Sequence, residues 1–543
     1  MSGVSIGRAL LSRWYRRFID DVASHLASAI PQPRRDVSPP LASGVPALSA
    51  DALIDRVEWE PLSRPIEIAD VTRVGEQHGH FGTATFERGE HYEILARFHC
   101  TSAELADSLF RVVPGTLDRG LVMEGVDAHG LTVHVPAFYP FAIKRFVDAM
   151  GSRIEISAHV WSLARTHEGL TATTHVDWFI SGPTDHSHIM SRRTERIQHR
   201  TYERRREGPR DGPSDGVDVR SPGPPAWTRQ SGTWDYLMVP AGSRCRAAIS
   251  TVPRGYGPDW SSCLGIEYRS TWGGLPSEHE RDGLVEVLGF LFGRHILRVG
   301  STAHDDEARV TQDRVLQPWG RDVVATSLGP DRPPIPLPRM RNFGSAEALL
   351  SPLIERYLSV CDELDLGRAL WTVWAADRMP TTFDLPLLSS ALERVMNAWF
   401  KSTKTKTRGV YLSKPDFDRL LADELNAAAA KLKGLSYGDR MERRLRGAFN
   451  MGTNERYEVF FEELQLPIGD GERAAMRGRN PSAHGGGGGG NGEHAVRLGW
   501  AYRLLFNRVV LHLLGYQGQY IDYSVLGHPA RVLTAPIGYR AVV

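Results

Sequence analysis

The sequence predicts an α+β multidomain protein: a β-rich, sandwich-like N-terminal region followed by an all-α helical bundle. Three observations carry this. From about residue 57 to 183 short runs alternate apolar and polar positions, a proline-rich break falls at 329–341, and beyond it apolar residues recur at spacings of three and four.

At 543 residues the chain exceeds what one core ordinarily organises, so two or three domains are expected. Lys and Arg number 65 against 64 Asp and Glu, a formal net charge of +1, which excludes a global field toward nucleic acid or membrane. Affinity for a polyanion must therefore come from local patches. Cys100, Cys245, Cys263 and Cys361 lie far apart with no C-x-x-C pair, a usage that fits a reducing cytoplasm rather than a disulfide framework. No apolar stretch approaches the length needed to span a bilayer, so a cytoplasmic protein without a membrane partner is expected.

Residues 1–43 read as an amphipathic helix and linker, because Arg8, Arg13, Arg16, Arg17, Asp20 and Asp21 interrupt the apolar residues and rule out a signal-peptide core. The β-rich region is assigned to 44–328. Its strands are legible in HYEILARFHC, LTVHVPAFYPF, RIEISAHVWSL and TATTHVDWFI, and again in TWDYLMVPAGSRCRAAISTV and SCLGIEYRSTW, with one helical stretch around 284–292. Between these groups, 191–226 is almost devoid of apolar residues and reads as a mobile insertion. Its arginines, Arg192, Arg193, Arg204, Arg205 and Arg206 among them, are weak candidates for gripping RNA phosphates, against the reading of a solvated loop interleaved with Glu195, Glu203 and Glu207. At the margin of this segment Asp185-His186-Ser187-His188 offers two rings on one side of a strand, with no third ligand nearby, and reads first as a polar turn.

Residues 329–341 form a semi-rigid proline-rich linker, and 342–543 the helical bundle. Leu388, Leu392, Val395 and Trp399 fall on one helical face, FDRLLADELNAAAAKL is a second helix, and Tyr457, Phe461 and Leu464 mark a third. The last is the clearest, with Leu498, Tyr502, Leu505, Val509 and Leu513 in one stripe and Gly515 at the capping position.

Just before that helix stands GRNPSAHGGGGGGNGEH, in which Arg479 and His484 are separated by four residues. Spacing alone is weak: chance gives about two such pairs in a chain of this composition, and a second occurs at Arg73 and His78. Requiring Asn after the Arg leaves only Arg479-Asn480. The residue types suit RNA scission, where the substrate's 2′-hydroxyl is the nucleophile and the protein supplies proton transfer and charge stabilisation. An imidazole such as His484 titrates near neutrality, Arg479 stays charged and can bond two phosphate oxygens, and Asn480 can orient either partner. The competing readings are an Arg that neutralises last-turn carbonyls, an Asn that caps and an exposed His. No cofactor is implied, and no residue of the motif is placed as a metal ligand.

In order, spacing and position, RNPSAH resembles the signature of the HEPN superfamily, which lies between the last two helices of a small bundle. The tail LLFNRVVLHLLGYQGQYIDYSVLGHPARVL resembles the end of ApeA-like HEPN proteins, and the likeness covers roughly 391–533. Two features depart from the pattern: Pro481 within the motif and the glycine run 485–490 after it. The resemblance implies a metal-independent endoribonuclease acting as an abortive-infection-type anti-phage effector on RNA, including tRNA. It also implies a homodimer formed through the C-terminal bundle, a phage-derived trigger and a β-rich sensor or restraint. It adds Glu393, an acidic residue near the Arg and His, to the catalytic candidates, against an ordinary solvated helix Glu. The alternative is a catalytically inert HEPN scaffold carrying a ligand-recognition β-rich module.

Overall fold

The computed structural model describes residues 59–89, 92–100, 102–110, 120–148, 151–180, 237–252, 263–307, 309–318, 335–338, 343–377, 379, 384–402, 409–483 and 492–538. The expected N-terminal helix at 1–43, the insertion at 191–226 and the segment 185–188 lie outside the described residues.

The first strands are β1 (Ile66–Val74), β2 (Gln77–His78), β3 (Gly82–Arg88) and β4 (Ile94–Cys100), then helix α1 (Ala103–Phe110), then β5 (Leu121–Asp127), β6 (Thr132–Asp148) and β7 (Gly151–Val160). In the order β6-β5-β1-β3-β4-β7 each pairs with the next, and β7 pairs back onto β6, so six strands close a barrel. Its interior is Ile68, Val71, Phe86, Phe98, Val133, Phe138, Ile156 and Val160, the inward half of the alternation. The expected sandwich is thus a barrel. Alternation dictates which face is buried but not whether a sheet closes on itself. Closure depends on the 17-residue β6, whose start pairs with β5 while the rest pairs with β7. At Gly82 the barrel admits no side chain: φ is +128° and a Cβ would lie 1.9 Å from the His99 carbonyl oxygen. The second Arg-x4-His pair is simply cross-strand, since Arg73 and His78 face each other in the β1–β2 hairpin and Arg73 pairs with Glu124.

At Thr132–His134 β6 also pairs with β8 (Ser162–Thr166), and from there an open antiparallel sheet continues. It comprises β9 (Thr174–Ile180), β10 (Leu237–Pro240), β11 (Arg246–Thr251), β12 (Leu264–Arg269), β13 (Leu297–His304) and β14 (Val310–Leu316), in the order β10-β11-β12-β9-β13-β14-β8. Arg88 ties barrel to sheet: it pairs with the fully buried Glu60 and donates to the carbonyls of Val299 on β13 and Leu316 on β14. Helix α2 (Glu278–Phe292) begins with a Ser277/Glu280 capping box, ends at Gly293 in the left-handed region, and lays Leu284, Val287, Leu288 and Leu291 into the core shared with Phe179, Leu264 and Ile266. Near its start Asp177, almost fully buried on β9, is surrounded by His175, Arg281 and Arg298.

The helical part comprises α3 (Phe343–Val360), α4 (Leu366–Ala376), α5 (Asp384–Lys401), α6 (Lys414–Leu432), α7 (Gly438–Arg446), α8 (Thr453–Leu464), α9 (Asp470–Ala483) and α10 (Gly492–Leu513). Strands β15 (Gln519–Ile521) and β16 (Ala530–Val532) follow. The predicted stripes point inward: Leu388, Leu392, Val395, Tyr457, Phe461, Leu464, Leu498, Tyr502, Leu505, Val509 and Leu513 are buried. Gly515 closes α10 at φ +75°, with Tyr516 N donating to Leu511 O and Gly515 N to His512 O, a Schellman ending. The hydrophobic core does not stop at the proline-rich segment. It runs from α2 and the open sheet into α3, α4 and the later helices, and Met238 N on β10 donates to Glu347 on α3. Within the predicted linker, residues 335–338 are docked: Leu337 is buried, and the carbonyls of Ile335 and Pro336 accept from Tyr523 and Ile521.

One predicted helix of the bundle departs from it. α6 packs on α7, and together they form a hairpin arm whose two ends meet where Tyr411 N bonds Phe449 O. In α6 only Phe417 and Leu425 are buried.

Candidate functional site

The helix that carries the motif is fixed at its start. Glu472, in the first turn of α9, accepts from Gly469 N and pairs with Arg508 of α10, both side chains being fully buried. Arg508 spends its remaining donors on the carbonyls of Leu533 and Pro467, so one guanidinium joins α9, α10 and the C-terminal tail. Burial pushes the Glu472 carboxyl up against the opposing pull of Arg508. Further along, a Cβ on Gly478 would lie 2.8 Å from Leu498 Cδ1, so glycine lets α9 and α10 approach closely. Since 472 meets 508 and 478 meets 498, the two helices run antiparallel.

Arg479 and Asn480 follow Gly478 directly and stand on the last turns of α9, with Pro481 to Ala483 completing the helix. His484 lies outside the described residues, as do Arg192, Arg193, Arg204, Arg205 and Arg206. Gly478 also faces Leu385, the second residue of α5, and Gly499 of α10 faces Asp384, the first. The motif end of α9 therefore sits where the starts of α5 and α10 converge. Among the described side chains, Asp384 is a carboxylate at this junction. Glu393, the sequence candidate, lies nine residues on, about 13 Å along α5 at 1.5 Å per residue. There its charge acts on Arg456 of α8. Sequence reasoning missed Asp384 because it precedes the apolar stripe of α5; its position as the first helical residue was the available signal.

Two further ion pairs stand nearby, one on α10 and one in the tail. Arg503 holds Asp377, at the end of α4, through both carboxylate oxygens at 2.7 and 2.9 Å. In the tail Asp522, fully buried, accepts from Ser524 N at 3.0 Å and Gly538 N at 2.6 Å, and forms an ion pair with Arg531. Of the tail segment Asp522-Tyr523-Ser524, Asp522 thus gathers Gly538 and Arg531 while Tyr523 bonds the Ile335 carbonyl, and Arg508 joins the tail to α9 and α10. Among the described residues no group of three or more His, Cys, Asp or Glu is arranged to hold a metal, and no helix is long and apolar enough to cross a membrane. The chain matches no family model, no curated protein and no solved structure.

Proposed function

We propose that this chain is a metal-independent endoribonuclease of the HEPN type, working as a homodimer and serving as an anti-phage RNA-cleaving effector restrained by its β-rich part. One observation supports this above the others: Arg479 and Asn480 lie in the last turns of a helix locked antiparallel to the final long helix, and His484 follows four residues after Asn480. In the reaction the 2′-oxygen attacks the adjacent phosphorus, its proton passes to a base, and the 5′-oxygen leaves with a proton from an acid. His484 supplies the proton transfer and Arg479 the charge on the phosphorane oxygens. A two-fold axis through the helical part brings two copies of the motif to one cleft. The test is end chemistry. Total RNA incubated with the purified protein is expected to yield 2′,3′-cyclic phosphate and 5′-hydroxyl ends, whereas 3′-hydroxyl and 5′-phosphate ends overturn the reading.

A further inference from the structure

The hairpin of α6 and α7 is built unlike the rest of the helical part. Helices that belong to a core bury an apolar stripe, yet Leu420, Leu435, Tyr437, Met441 and Leu445 are between 41% and 65% exposed. Its turn and returning helix are also basic. From 431 to 446 there are six cations, Lys431, Lys433, Arg440, Arg443, Arg444 and Arg446, against two carboxylates, Asp439 and Glu442, in a chain that is otherwise balanced. Among the described residues only Arg446 meets a carboxylate, Glu442 at 2.8 Å. Arg443 turns its Nε to the backbone carbonyl of Asp439, and Arg440 rides 5.8 Å over the ring of Tyr437, the most exposed aromatic of the arm. Lys431, Lys433, Arg440, Arg443 and Arg444 form no ion pair among the described residues. On α7 the steps from 440 to 443 and 444 keep these three guanidinium groups on one side of the helix, away from Met441 and Leu445.

We infer that this arm is an RNA-gripping element, in which Arg440, Arg443 and Arg444 bind backbone phosphates and Tyr437 stacks on an unpaired base. Clustered guanidinium groups without carboxylate partners match phosphate geometry, and an exposed ring beside them suits single-stranded or looped RNA. The inference rests on the ribonuclease reading for its choice of RNA; the arm follows the C-terminal end of α5, about 26 Å along that helix from Asp384, and precedes α8. A protein partner on the apolar side is the competing occupant. The concentration of unneutralised cations favours the polyanion.

The test uses the full chain and total tRNA methylated at its 2′-hydroxyls, which binds without being cut. Wild type and the triple variant R440Q/R443Q/R444Q are titrated by fluorescence anisotropy across a salt series. Each phosphate contact to single-stranded RNA contributes about 0.7 to the slope of log affinity against log salt, so three contacts predict a loss of about 2 in slope. Affinity is expected to fall by roughly tenfold or more. On cleavable RNA the triple variant is expected to raise KM with little change in kcat, and Tyr437→Ala to weaken binding without altering the slope. Gln keeps the helix propensity of Arg, and circular dichroism checks the fold. If the variant binds with wild-type affinity and slope while RNA is still cut, the arm assignment is wrong and the ribonuclease reading stands. If Leu435→Ser with Met441→Ser changes the oligomeric state while the arginine variant binds normally, the arm is a protein interface and the inference falls. If wild type neither binds nor cuts RNA, both readings fall.

Discussion

Arg508 on the last long helix and Glu472 in the first turn of the preceding one form an ion pair in which neither side chain reaches solvent. A buried pair is seldom the most stabilising choice for its volume, because both ions lose their hydration. What it does fix is register. Arg508 also holds the carbonyls of Pro467 and Leu533, so α9 can neither slide along α10 nor leave the tail, and Gly478 and Arg479 are delivered to the junction with α5.

Breaking this pair from one side is expected to cost about 3–5 kcal/mol, because it leaves a charge buried without its partner. Arg508→Met and Glu472→Leu should each lower the urea midpoint sharply. The double variant should recover part of the loss, since two apolar side chains leave no orphaned ion. Additive losses in the double variant would show that the pair does not act as a unit.

A similar argument holds at Asp177. Burial alone would raise its carboxyl, but Arg298, His175 and Arg281 together hold it below the usual range. Asp177→Asn is expected to cost about 3 kcal/mol near neutral pH, because it leaves Arg281 without its carboxylate and Arg298 with Asp282 alone. A depressed carboxyl contributes stability above its unfolded value of about 3.9, and loses it as pH falls through the lower folded value. The gap between wild type and variant, read from urea midpoints, should be flat from pH 7 to 5 and shrink below about pH 4. A gap that widens on acidification would contradict the sign.

Much of this was legible in the sequence, and the misses have physical reasons. The stripes from Leu388 to Val395 and from Leu498 to Leu513 are buried as their spacing requires, and Gly515 caps where expected. Periodicity names the face that would be buried but not whether anything covers it, which is why α6 reads as a bundle helix and stands instead in an arm. Closure of the barrel depends on the pairing of β6 with two neighbours along its length, and no local pattern encodes that. Arg508 and Glu472 are 36 residues apart, and no local pattern pairs them. The motif was expected between the last two helices, and Arg479 and Asn480 fall within the last turns of the first of them. That Asp384 stands at the start of α5 against Gly499 of α10 needed the fold.

Activity is expected to survive excess EDTA, because the 2′-hydroxyl provides the nucleophile and the motif supplies no metal ligands. The same chemistry predicts that single-stranded DNA of equal sequence resists cleavage. Cutting assays on matched RNA and DNA oligonucleotides, with chelator and with added Mg²⁺, check both points. Restoration of lost activity by Mg²⁺, or equal cutting of DNA, would move the chemistry to a different class.

His484→Ala carries the central expectation. The imidazole is the one group in the motif able to take and return a proton near pH 7, a role worth about 10²- to 10⁴-fold in rate. Folding should hardly respond, because His484 precedes the glycine run 485–490 rather than joining an apolar stripe, and changes at such positions usually stay within about 0.5 kcal/mol. Arg479→Ala should behave alike, and Arg479→Lys should recover little, since a point charge cannot reproduce the guanidinium fork. Leu505→Asp makes the contrast: Leu505 is fully buried on α10, so this variant should be inactive because it fails to fold. Rates on total RNA, read beside circular dichroism and elution volume, separate the two kinds of loss. A folded, normally assembled His484→Ala protein that degrades RNA at the wild-type rate would remove His484 from catalysis and leave the helical part as a scaffold.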